Sequence, residues 1–212
     1  MPAISYLPEG YHSIGTLDLT KNLRLLVYLN IAGAVLLVGF YYVFIRAVLW
    51  MRPEAARQGL SASFQGLGGA LHILIGVIGI YAAVIVLHEG AHGIFLAWFT
   101  HRRPAFAFRG YYAYAAAPGW YFPRNQYMLV SLAPLVLLSL LGLVALAFVP
   151  TGWFLAVISF IAFNGSGAVG DLAVFFWLLR QPSTCLAYDV GEAVTLYLKV
   201  REFTNYPISG KP

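Results

Sequence analysis

His88, Glu89 and His92 stand in the order His-Glu-x-x-His inside one of the most apolar stretches of the chain. In a helix of 3.6 residues per turn, positions i and i+4 share a face, so both imidazoles can reach one metal ion. Glu89 then lies beside the water that such an ion binds. The spacing predicts a Zn2+ site for metal-assisted hydrolysis, with His88 and His92 as ligands and Glu89 as the catalytic base. Two histidines hydrogen-bonded within a helix bundle are the alternative, but that arrangement leaves the carboxylate between them without a partner.

Hydrolytic zinc takes three protein ligands and keeps one position for water. Cys185 is the only cysteine, which excludes both a thiolate cage and an internal disulfide. Of the eight acidic residues, only Glu89 and Asp171 fall in apolar runs long enough to cross a bilayer. A charge there costs at least about 2.5–3.5 kcal/mol unless it is paired or bound. A metal is one such partner for Asp171, and Arg109 is another. Asn164 precedes Asp171 by two helical turns and so shares roughly the same face. It could act in catalysis, by hydrogen-bonding substrate backbone or stabilising an oxyanion, or serve only in packing.

Composition sets the kind of element that must hold these residues. The chain of 212 residues is 60% hydrophobic and 10% charged, with a mean hydropathy of +0.76, whereas a soluble domain carries about 25% charged residues. An integral membrane protein in contact with the lipid bilayer is expected. The net charge of +5 fits basic residues gathered at the cytoplasmic ends of spans, and without a basic tract it points to no nucleic-acid partner. The first 24 residues lack the pattern of a cleaved signal peptide.

The expected fold is an all-α membrane protein. Four transmembrane helices cover residues 25–50, 67–99, 127–149 and 153–180, with a short aromatic β-hairpin or re-entrant loop between the second and third. Residues 1–24 form a cytoplasmic segment without assigned chemistry, in which Leu17-Asp18-Leu19-Thr20 could cap the first helix. Residues 25–180 form the membrane core, and residues 181–212 form a cytoplasmic tail. Residues 51–65 are a polar connection. The second span is longer than one crossing needs, so it tilts, kinks near Gly66, Gly68 and Gly69, or projects from the bilayer. His72 lies about 24 Å from His88 along a straight helix, too far to be a ligand. Asn30 in the first span reads as an interhelical hydrogen-bonding residue, and Pro134 in the third is tolerated because neighbours can satisfy the carbonyl it frees. Gly165, Ser166, Gly167 and Gly170 leave little bulk, which would let the fourth span approach the zinc helix.

Large and small residues alternate from Phe106 to Arg109 and from Tyr112 to Ala115, as in strands. This stretch is either an aromatic belt at the membrane surface or a hairpin whose open edge accepts an extended substrate. Val194, Leu196, Leu198 and Val200 alternate too, fitting a strand or a short amphipathic helix.

Lys21, Arg24, Arg102, Arg103, Arg109, Arg124, Arg180, Lys199, Arg201 and Lys211 fall on one side of a four-span arrangement, and only Arg46, Arg52 and Arg57 on the other. The positive-inside rule then puts both termini in the cytoplasm, with spans two and four running in the same direction. His88 and His92 lie about 16 and 10 Å before the end of their span, and Asp171 about 14 Å before the end of its own. That common level selects Asp171 as third metal ligand.

Leu7-Pro8-Glu9-Gly10-Tyr11, the His-Glu-x-x-His helix, the aromatic stretch after it, Ser131-Leu132-Ala133-Pro134 and Asn164 through Asp171 together resemble the bacterial putative zincin peptidase family of integral membrane proteins, over nearly the whole chain. That family is similar in motif logic to the site-2 proteases, intramembrane metalloenzymes with two His and a Glu on one helix and an Asp ligand on a later one. The resemblance implies His88 and His92 as ligands, Glu89 as base and Asp171 as third ligand. Gly170-Asp171-Leu172 stands where the site-2 proteases have Leu-Asp-Gly or Asn-Pro-Asp-Gly. The expected function is a zinc metalloprotease of the cell membrane, cutting membrane or membrane-proximal protein or peptide substrates. A metal-binding protein without catalysis, a substrate-binding pseudoprotease and a zinc hydrolase of lipid amides or esters remain as alternatives. Neither the substrate nor the oligomeric state is specified by the sequence.

Overall fold

A computed structural model describes residues 2–18, 21–59, 66–110 and 112–199. In chain order the elements are β1 (Tyr11–Asp18), α1 (Leu23–Met51), α2 (Pro53–Gly59), α3 (Gly66–Thr100), β2 (Ala105–Phe108), β3 (Ala113–Ala116), β4 (Tyr121–Pro123), α4 (Arg124–Phe148), α5 (Phe154–Gly167), α6 (Val169–Leu179), β5 (Leu186–Asp189) and β6 (Ala193–Lys199). The protein is mostly helical, and α1, α3 and α4 are each long and apolar enough to cross a membrane. The expected single helix over 153–180 is instead the pair α5 and α6, bent by 46° where the helix breaks at Ala168.

The all-α expectation needs correction, because two antiparallel sheets accompany the helices. One has the strand order β1-β6-β5-β4, and the other pairs β2 with β3. The first joins chain from before α1, before α4 and after α6, so these three segments meet at one end of the bundle. Residues 11–18, read as a plain polar segment, are an edge strand in register with β6 from Tyr11↔Lys199 to Asp18↔Ala193. The tail alternation is a strand: Val194 and Leu196 are buried, while Thr195 faces outward and bonds the Thr16 hydroxyl at 3.0 Å. Val200 lies outside the described residues, as do Leu19 and Thr20 of the expected cap. Asn22 caps α1 instead, its side chain accepting from Leu25 N–H at 3.1 Å.

Two apolar clusters hold the bundle. At the sheet end, Leu96, Phe122, Val130, Leu178 and Leu196 pack together, and each such buried side chain contributes about 1.5–3 kcal/mol. At the far end, Phe44, Val48, Leu146, Phe154 and Ile158 form the second. There Arg52 bonds the Val149 carbonyl at 2.6 Å and lies 4.9 Å over the Phe154 ring, capping the C-terminus of α4. The histidine helix is anchored between these clusters by α4 and α5.

The glycine-rich stretch lets α5 approach α1 as well as the histidine helix α3. A Cβ at Gly165 would run into Phe40 of α1, and Ser166 donates to Gly33 O of α1 at 2.9 Å. Gly165 and Ser166 therefore bring α5 close to α1, while its Asn164 meets the histidine helix α3.

Candidate metal centre

His88 and His92 project from one face of α3 with ring centroids 5.0 Å apart. Asp171, in the first turn of α6, reaches both: its Oδ2 lies 3.0 Å from His88 Nε2 and its Oδ1 lies 3.3 Å from His92 Nε2. Free amides at the start of a helix favour a carboxylate there. Arg109, weighed as an alternative partner for Asp171, faces Glu192 at 3.7 Å.

The other nitrogen of each imidazole is already engaged. His88 Nδ1 lies 3.0 Å from Asn164 Oδ1, and the Asn164 amide is oriented by its own donation to Pro134 O at 3.2 Å. His92 Nδ1 lies 2.9 Å from Val130 O. That carbonyl is available because Pro134, four residues on in α4, has no N–H to give it. Both acceptors require a hydrogen on Nδ1, so in the neutral imidazoles both Nε2 atoms present lone pairs. Two lone pairs and a carboxylate then converge, with all three ligand atoms within 4.8 Å of one another. Such a set suits a positive charge at its centre, either a metal ion or a proton on an imidazole. The separations of 3.0 and 3.3 Å suit atoms each about 2.0–2.2 Å from a shared zinc ion.

Asn164 differs from its expected catalytic role. It is fully buried, and its oxygen and amide are turned to His88 and Pro134 rather than to a substrate. It is a positioning residue for His88. Asn164→Ala is expected to weaken zinc affinity about 10–100-fold while leaving the fold intact, which chelator competition will measure.

His88, Glu89, His92 and Asp171 line a cavity of about 380 Å3, together with β3, the turn after β5 and two residues of α1, Leu26 and Asn30. The hairpin explains how β3 presents itself. Arg109 N–H donates to Tyr112 O, so the hydrogen-bonded pairs alternate through Ala107↔Tyr114 and Ala105↔Ala116. The amides and carbonyls of Ala113 and Ala115 consequently point out of the other edge, and Ala115 N–H faces the Glu89 carboxylate. Tyr112 donates to Glu192 at 2.8 Å, and Gly191 (φ +88°) lies so close to the Tyr114 ring that a Cβ would collide with it. These contacts hold the hairpin against the turn after β5.

Sequence reasoning missed Tyr127, Asp189 and Glu192, which all line this cavity. Asp189 and Glu192 escaped because they lie beyond the apolar spans; Asp-x-Gly at 189–191 is the turn signal that could have drawn attention to them. Asp189 is 6% exposed, with its Oδ1 2.7 Å from Gly191 N–H and the Tyr127 hydroxyl donating to it. Burial pushes its carboxyl above the usual range, and those two donors offset only part of the effect. Its stabilising contribution is complete below the ordinary carboxyl pKa and is lost as pH rises through the raised value. Thermal melting across that window should show wild-type protein losing stability that Asp189→Asn keeps.

The profile of the family described as "Putative zincin peptidase" matches residues 81–186, half of the chain. The chain belongs to this family. No curated protein and no solved structure matches it. The segment shared with the zincin peptidases begins two turns before His88 and ends at the start of β5, so it contains Glu89, the three converging ligands, Pro134 and Asn164. Asn30, Asp189 and Glu192 lie outside it and line the cavity from flanking chain.

Proposed function

We propose that this protein is a zinc-dependent integral membrane metalloprotease, cutting peptide bonds of membrane or membrane-proximal proteins. The observation that carries the reading is the pair of imidazoles with occupied Nδ1 atoms and Nε2 atoms converging on Asp171, beside Glu89. His88, His92 and Asp171 would hold a zinc ion, which when bound would supply a Lewis acid for the scissile carbonyl and a water that ionises near pH 7. Glu89 takes the proton from the attacking water and delivers it to the leaving amine as the C–N bond breaks. The outward edge of β3 accepts an extended substrate chain as a third strand, with the Ala113 backbone and the Ala115 carbonyl supplying hydrogen bonds beside His88, His92 and Asp171, while the Ala115 N–H faces Glu89.

In this reading α5 and α6 together form the fourth span, since the sheet gathers chain from before α1 and after α6 on one side. Lys21, Arg24, Arg102, Arg103, Arg124 and Arg180 flank the spans on that side, which makes it cytoplasmic. Protein stripped of metal and reconstituted in detergent should take up one zinc per chain and cleave an unfolded polypeptide. Failure to retain zinc would overturn the proposal.

A further inference from the structure

Asn30 carries a polar side chain on an exposed face of α1, among apolar neighbours. The interhelical bond expected of it is absent among the described residues: its amide donates only to Leu26 O of its own helix, at 2.7 Å. Its oxygen and second amide hydrogen have no partner there. Helix α1 packs on α5 and α6 and makes no extensive contact with α3 or β3. Between them lies the cavity, with Leu26 and Asn30 on one wall and Glu89, Ala113 and Ala115 on another. At Gly167, which also lines it, an added Cβ would meet open space. Asn30 lies about 10 Å from the start of α1, and His92 about 12 Å from the end of α3, so the two share a level.

A substrate strand added to β3 has a second edge, whose N–H and C=O groups face apolar surroundings and need partners. A carboxamide offers one donor and one acceptor, the complement of one peptide unit. We infer that Asn30 is a substrate-binding residue, pairing with the backbone of an extended peptide on the edge opposite β3; this rests on the peptidase reading. The ligand class is an extended polypeptide backbone, and the choice of side chains is left to other walls of the cavity.

A fluorescent synthetic peptide with one apolar span is the probe, its binding to Glu89→Gln protein in micelles followed by anisotropy so that no cleavage is needed. Adding Asn30→Leu should weaken binding about tenfold, the loss of one or two hydrogen bonds, with zinc content and melting temperature unchanged. Leucine suits an exposed position in a spanning helix, so the variant is expected to fold. Equal binding by the two proteins overturns the assignment, as does failure of the Glu89→Gln protein to bind. A loss of zinc or of thermal stability in Asn30→Leu overturns it as well, by showing a structural role. If binding weakens as expected but wild-type protein cleaves no peptide, the Asn30 assignment stands and the peptidase reading falls.

Discussion

Glu89→Gln should keep one zinc per chain and lose cleavage of unfolded or transmembrane peptides by about 100- to 10,000-fold, the range of a general acid–base contribution. The substitution is nearly isosteric. Its amide still meets Ala115 N–H, which the glutamate faces in the wild type, and neither imidazole depends on it for a hydrogen bond. What disappears is the group that, in the proposed mechanism, takes a proton from water and returns it to nitrogen. Zinc analysis beside a cleavage assay separates this outcome from general damage. A variant with full zinc and full cleavage would remove Glu89 from the mechanism. One without zinc would make it a structural residue.

Asp171→Ala should weaken zinc retention by more than about 100-fold, beyond what the loss of an outer hydrogen bond produces. Among the described residues, Asp171 supplies the only carboxylate touching both Nε2 atoms, at 3.0 and 3.3 Å. Alanine leaves two imidazoles whose Nδ1 atoms remain tied to Asn164 and Val130, a two-ligand remnant unable to complete a hydrolytic site. Competition with a chelator of known affinity measures the change. Unchanged affinity would take Asp171 out of the ligand set.

Much of this centre is legible without coordinates because a helix is a ruler. The spacing of His88 and His92 places both on one face, and the fixed rise per residue is enough to bring Asp171 to their level from a span that is distant in sequence. The same ruler misleads at Asn164. Counting two turns to Asp171 assumes one helix, whereas the break at Ala168 bends the axis by 46° and turns Asn164 towards His88. Three glycines in that stretch read equally well as a close approach or as a hinge. The partner of His92 was open to deduction: Pro134 inside α4 leaves Val130 O without its helical donor. Which side chain takes that carbonyl is a matter of packing.

The four-stranded sheet was harder to see. β1 contains Gly15 and a register shift between Ser13 and Gly15, so its alternation is blurred. Its partner β6 is nearly the whole chain away, and pairing at such separation leaves no local trace in either segment. The β2–β3 hairpin shows the opposite case, since its two strands lie close in sequence and each alternates cleanly.

The candidate centre draws on four separate helices: two ligands from α3, one from α6, the carbonyl from α4 and the amide from α5. The constellation exists only once all four helices have docked. Ion capture then belongs to the last stage of assembly, and binding favours the docked bundle by mass action. In the proposed hydrolase this order is protective. A half-assembled copy holds neither a competent water site nor a closed bundle, so the catalyst arms only after the scaffold that confines it is complete.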